Sequence, residues 1–164
     1  MGSEMCIRDR FDREGALVAN APHIPVHLGS MGEVVVDLLS QVKAGARPAL
    51  QPGETLLSND PFHGGTHLPD ITAITPVFAG QANPVAFVAC RGHHVDVGGT
   101  TPGSMPPFSQ TIADEGLRLR QWPLVQGGRL LLEAWQERLA QEPHPPRSPD
   151  PVSYTHLRAH ETSL

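Results

Sequence analysis

Histidine is the residue in this sequence with the most chemistry to offer: the 164 residues hold 9, and six of them fall in three tight pairs, His23 and His27, His63 and His67, His93 and His94. Carboxylates stand beside the last two pairs, Asp60 and Asp70 with one and Asp96 with the other. Imidazole nitrogen and carboxylate oxygen are the ligands that zinc, manganese and iron sites share, and three protein ligands around an open position characterise catalytic rather than structural centres. Spacing by itself leaves two readings open. The second is that these histidines are turn and strand-end residues bonded to backbone, since short motifs also arise by chance.

A metal centre requires elements that carry distant ligands to one point. In His67-Leu-Pro-Asp70, Pro69 argues against a helix interior, so the pair has to be presented by a turn entering a strand at Ile71. Ile71 to Phe78 alternates apolar residues with threonines, Gly80 to Asn83 is turn-like, and Val85 to Cys90 is apolar enough for a buried strand. A hairpin turning about Gln81 sets Asp70 opposite Gly92. Neighbouring strands lie ~4.8 Å apart, so His67 and Asp70 on one strand and His93 or His94 on the other come within reach of a common point. Gly64, Gly65 and Gly92 permit the close backbone approach this needs.

The remaining elements are read the same way. Ser30 followed by Glu33 has capping-box spacing, and Val34, Val35, Leu38, Leu39 and Val42 recur at helical intervals, which predicts a helix over Met31 to Lys43. Glu54 to Ser58 reads as a strand, Asn59 to Asp70 and Val97 to Ser109 as loops, and Leu130 to Gln141 as a second amphipathic helix. Pro143 to Pro151 reads as extended or disordered. The expected fold class is α+β, a mixed or antiparallel sheet with amphipathic helices. His23 and His27 flank Pro25 in an extended segment, where residues four apart lie ~13 Å from each other, so a substrate-binding or helix-entry role is expected rather than chelation. His63 reads as loop surface.

Composition removes several classes of function. Lys+Arg 12 against Asp+Glu 17 gives a formal charge of -5, so the basic footprint of a nucleic-acid binder is missing. No apolar run approaches the ~18 residues of a membrane span, which makes a cytoplasmic chain without membrane contact the expectation. Neither Gly29-Ser30-Met31 nor Gly103-Ser104-Met105 has the second glycine of a nucleophile elbow, and a phosphate-binding G-x-x-x-x-G-K-[ST] is missing, so ATP would be bound elsewhere.

The two ends differ in character from the middle. One stretch of DNA can encode Val152 to Ala159 on one strand and Gly2 to Asp9 on the other, the relationship expected of a sequencing adapter at both ends. Residues 1–10 and 152–164 are therefore read as adapter-derived tails that pack poorly, and residues 11–151 as an internal piece of a longer protein. Setting Cys6 aside with the first tail leaves Cys90 without a disulfide partner, expected as a small buried hydrophobe.

Three long ordered motifs in the middle resemble one family: APHIPVHLGSMGEVV (Ala21 to Val35), PGETLLSNDPFHGGTHLPDIT (Pro52 to Thr72) and RGHHVDVGGTTPGSMPP (Arg91 to Pro107). They are similar to hydantoinase B/oxoprolinase proteins, also called N-methylhydantoinase B subunits, whose members are several times longer. The resemblance implies the N-terminal part of an ATP-dependent hydrolase that opens a cyclic amide such as a hydantoin or 5-oxoproline. An A-type partner subunit or domain would bind ATP and phosphorylate the substrate, and the B-type part would use a divalent metal, zinc, manganese or iron. It places the metal ligands on His67, Asp70 and a histidine of the last pair, with His93 preferred because the second position is the more variable in the family. A further family aspartate lies in an upstream Arg-x-Asp-Phe-Ser segment that the first tail has replaced; Asp12 does not take its place. Asp96 and Asp60 are candidates to orient a ligand imidazole during catalysis, or to cap turns. A subunit of a related ATP-dependent ketone carboxylase, such as those acting on acetone or acetophenone, is the alternative. So is a truncated fragment inactive on its own.

Overall fold

The computed structural model describes residues 7–20, 29–103 and 105–147. His23, His27 and the expected C-terminal tail lie outside them. In chain order the elements are β1 (Ile7–Asp12), β2 (Leu17–Ala19), α1 (Ser30–Lys43), β3 (Thr55–Ser58), a short 3-10 turn (Pro61–His63), β4 (Asp70–Val77), β5 (Ala86–His93), α2 (Ile112–Glu115), β6 (Trp122–Gln126), β7 (Arg129–Leu130) and α3 (Leu132–Ala140). The strands form one seven-stranded sheet in the order β2-β1-β5-β4-β3-β6-β7, with every neighbouring pair antiparallel. The fold is α+β, as expected.

Both faces of the sheet are covered, and β3 and β4 are buried along nearly their whole length. On one face Leu56, Ile74, Phe87 and Ala89 pack with Phe11 of β1 and with Met31, Val34, Val35 and Leu38 of α1. Alternate residues Leu57, Ile71, Ala73 and Cys90 point the other way, toward Trp135 and Leu139 of α3 and toward Leu117 and Leu119. The 14-residue α1 ends where the sequence says it must, with Gly45 at φ 68 just beyond it.

Four expectations are corrected. First, the predicted register is one residue out: Asp70 pairs with His93, not Gly92, and Ile71 pairs with Gly92. Turn length sets hairpin register, and a slip of one residue exchanges the faces on which side chains lie. Second, Ser30 does not cap α1; Gly29 holds the N-cap position, and the Ser30 hydroxyl accepts a hydrogen bond from Arg91. Third, Ile7 to Arg10, read as part of a poorly packed tail, begin β1, which lies inside the sheet between β2 and β5, and Asp9 is buried. Ladder hydrogen bonds come from the backbone, so a segment of almost any side-chain composition can complete them. Fourth, Cys90 is buried but disulfide-bonded, not lacking a partner. Elimination by the tail reading removed Cys6, the only other cysteine in the sequence, which lies outside the described residues.

Candidate metal centre

The hairpin of β4 and β5 carries the site at its open end. Asp70 begins β4 and His93 ends β5 as a directly opposed cross-strand pair, and Thr72 opposes Arg91 one step further in. These four residues continue the α1-facing rows of Ile74 and of Phe87 and Ala89. His94 falls on the opposite face, buried, its backbone N–H donating to Pro69 O at 2.8 Å. The register thus selects between two adjacent histidines that spacing could not separate.

His67 enters from the turn before β4, which is closed by the Asp70 N–H donating to His67 O at 3.0 Å. Its Nδ1 lies 3.1 Å from Asp70 Oδ2, and His93 Nδ1 lies 2.9 Å from Asp70 Oδ1. The two imidazoles stack, with ring centroids 5.1 Å apart and planes inclined by 28°. One ligand atom from each of His67, Asp70 and His93 lies within 4.8 Å of the others, the single such cluster among the described residues. The carboxylate is at the bottom, 5% exposed, while the His67 and His93 side chains are 28% and 46% exposed. A cation would meet two imidazoles at the mouth and a buried anion beneath.

Burial alone would push the Asp70 carboxyl up, but hydrogen bonds from His67, His93 and Thr66 and the charge of His67 outweigh it and hold it well below the usual carboxylate range. The Thr66 hydroxyl donates to Oδ2 at 2.9 Å. Asp70 is therefore ionised wherever histidines are neutral, as metal binding requires. Two residues that no periodicity signals, the buried Asn59 and the half-buried Gly64, hold this loop. Asn59 donates to Leu68 O and Leu117 O, at 2.7 and 2.9 Å, and accepts from the Leu119 N–H at 2.7 Å. Gly64 packs so tightly on α1 that a Cβ there would sit 2.4 Å from Val34 N. Gly64 is legible in the sequence as a place of close backbone approach, whereas Asn59 carries no such signal.

Asp60 and Asp96 do not join the cluster. Asp60 accepts from the Phe62 N–H at 3.0 Å and caps the 3-10 turn, with His63 Nδ1 3.0 Å from its other oxygen but not aligned as a hydrogen bond. Asp96 accepts from the Gly98 N–H at 2.8 Å and the Arg147 N–H at 2.9 Å, fixing the chain that crosses the loop after β5. The expected contact with a ligand imidazole is thus corrected for both: their oxygens satisfy turn and loop backbone, the other role their positions allowed.

The model of the hydantoinase B/oxoprolinase family matches residues 9–159, and the chain belongs to that family. It is 52% identical over 118 residues to 5-oxoprolinase 1 of Arabidopsis thaliana, covering 72% of this chain and 9% of that protein. Caprolactamase subunit beta of Pseudomonas jessenii is 31% identical over 139 residues, 80% of this chain and 23% of that one. The crystal structure of that ATP-dependent caprolactamase superposes with a TM-score of 0.70 at 25% identity, covering 85% of this chain and 23% of that chain. Nucleotide-free acetone carboxylase shares the fold, with a TM-score of 0.73 at 21% identity over 82% of this chain and 17% of that chain. The chain spans about a tenth of the length of the 5-oxoprolinases it matches.

Proposed function

We propose that this chain carries the divalent-metal site of the B-type part of an ATP-dependent cyclic-amide hydrolase, with His67, Asp70 and His93 as the ligands. The observation that supports it most directly is the convergence of those three ligand atoms within 4.8 Å from a turn and two strands. Two neutral nitrogens and one carboxylate oxygen suit zinc, manganese or iron alike, and three protein ligands leave room for substrate or water. When bound, such an ion lowers the pKa of a water and polarises an amide carbonyl. This chain's own contribution is to keep Asp70 ionised, hold the imidazoles in place by the Asp70 contacts, and leave the mouth open on the side of His93.

The proposed substrate is a lactam or hydantoin, supported by relatives named 5-oxoprolinase and caprolactamase. ATP would be bound by an A-type partner subunit or domain, a reading supported by a relative that is itself a beta subunit. On this proposal the 164-residue chain alone binds metal but turns nothing over. Metal analysis of the chain, together with assays on 5-oxoproline, hydantoin and acetone using the intact reading frame with and without an A-type partner, tests it. Partner- and ATP-dependent ring opening is the expected result. Turnover of acetone alone would favour the ketone carboxylase, and ring opening without bound metal would overturn the ligand assignment.

A further inference from the structure

We infer that Arg91 is a positioning residue of the metal centre, a single buried side chain that ties together the three segments carrying the ligands. This rests on the metal reading above and adds a residue to it. Arg91 lies on β5, two residues before His93 and on the same face, and its side chain is 1% exposed. Its Nε donates to the Thr72 hydroxyl at 2.8 Å, two residues beyond Asp70 on β4. One terminal nitrogen donates to the Ser30 hydroxyl at 2.5 Å, at the start of α1, and the other to Gly64 O at 3.3 Å, in the loop that leads to His67. Asp70 and Asp9 supply the opposing charges.

The physical case begins with cost. Removing a guanidinium from water costs several kcal/mol, and a protein retains one only where hydrogen bonds and counter-charges replace the lost hydration. Along the α1-facing row the preceding positions, Phe87 and Ala89, are apolar and fully buried, so a hydrophobic side chain at 91 would continue the packing. Instead the row turns ionic immediately before the ligands. Only a planar fork with several donors reaches β4, the Gly64 loop and α1 together; a lysine ammonium cannot span all three. Gly64 can approach because it lacks a Cβ, so its carbonyl and the guanidinium meet against the first turns of α1. The separation between the His67 turn and the Asp70–His93 pair is consequently set from beneath by Arg91 rather than by the ligands alone.

Cobalt(II) binding by the full 164-residue chain, read by visible absorption and by calorimetry, tests this. The unmodified chain should bind and His67→Ala should not; equal binding by the two would overturn the metal reading and this inference with it. Given binding, Arg91→Met should weaken affinity by about 10–100-fold and alter the absorption bands, as removal of outer partners of metal ligands does. Arg91→Lys, which keeps the charge and loses the fork, should stay weakened. Thr72→Val and Ser30→Ala, each removing one acceptor, should show smaller shifts in the same direction. A folded Arg91→Met chain with unchanged affinity and spectrum would overturn the inference. If circular dichroism shows that variant unfolded, unchanged binding in both Thr72→Val and Ser30→Ala overturns it equally.

Discussion

Two aspartate–histidine pairs of the same spacing lie seven residues apart in the sequence, Asp60 with His63 and His67 with Asp70, and only one belongs to the His67–Asp70–His93 cluster. Both carboxylates are buried, and each has an imidazole Nδ1 at 3.0 or 3.1 Å. The difference lies in what else reaches the carboxylate. Asp70 sits at a strand end, where the neighbouring strand delivers His93 to its second oxygen. Asp60 sits in a loop, where its second oxygen is taken by the Phe62 N–H, and its closest further cation is Arg118 at 3.9 Å. A local Asp–His pair gains a third converging group when a long-range partner reaches the carboxylate; supplied with a backbone N–H, the same pair is a cap.

The largest expected effect breaks this contrast directly. Asp70→Asn should abolish metal retention after dialysis while Asp60→Asn keeps it, as measured by elemental analysis of the purified chains. Next, His93→Ala should lose most metal affinity in a zinc competition titration, whereas His94→Ala, on the opposite face, should leave affinity nearly intact. Reversal of that order would show the register to be wrong by one residue.

Stability effects are smaller. Asn59→Ala should cost about 3 kcal/mol in urea unfolding, because it strands the Leu68 and Leu117 carbonyls and the Leu119 N–H in a buried setting. Asp70 adds an acid-sensitive contribution in the metal-free chain. Its carboxyl is held below the usual range in the folded state, so its stabilisation is complete above its unfolded value of about 4 and fades as pH falls through the acid range. Asp70→Asn should flatten that limb of the stability profile; an unchanged acid limb would show that the pairing does not stabilise the fold. Smallest of all, Asp60→Ala should cost about 1 kcal/mol, the ordinary loss for a capping side chain, seen as a small drop in thermal midpoint.

Periodicity and composition were sufficient for much of this. The alternation from Ile71 to Phe78, the turn signals near Gln81 and the apolar run to Cys90 define a hairpin, and the hydrophobic spacing after Ser30 defines α1, because one-dimensional patterns record burial along a chain. Ligand types, and the exclusion of a helix around Pro69, were legible for the same reason. The motifs around His67 and His93 carried the family. Strands β1, β2, β6 and β7 and the four-residue α2 were not legible, being short or lacking a distinctive alternation, and β1 is held in place by backbone pairing to β5.

What the tertiary structure alone decided was partnership. Register chose His93 over His94; the loop around Gly64 and Gly65 sent Asp60 to a cap and Asp70 to the cluster. The fold also placed Arg91 under the ligands and Asn59 behind them. A buried polar residue leaves no periodic trace, since its stability comes from partners 9 to 61 positions away, and those partners meet only when the sheet and α1 are assembled.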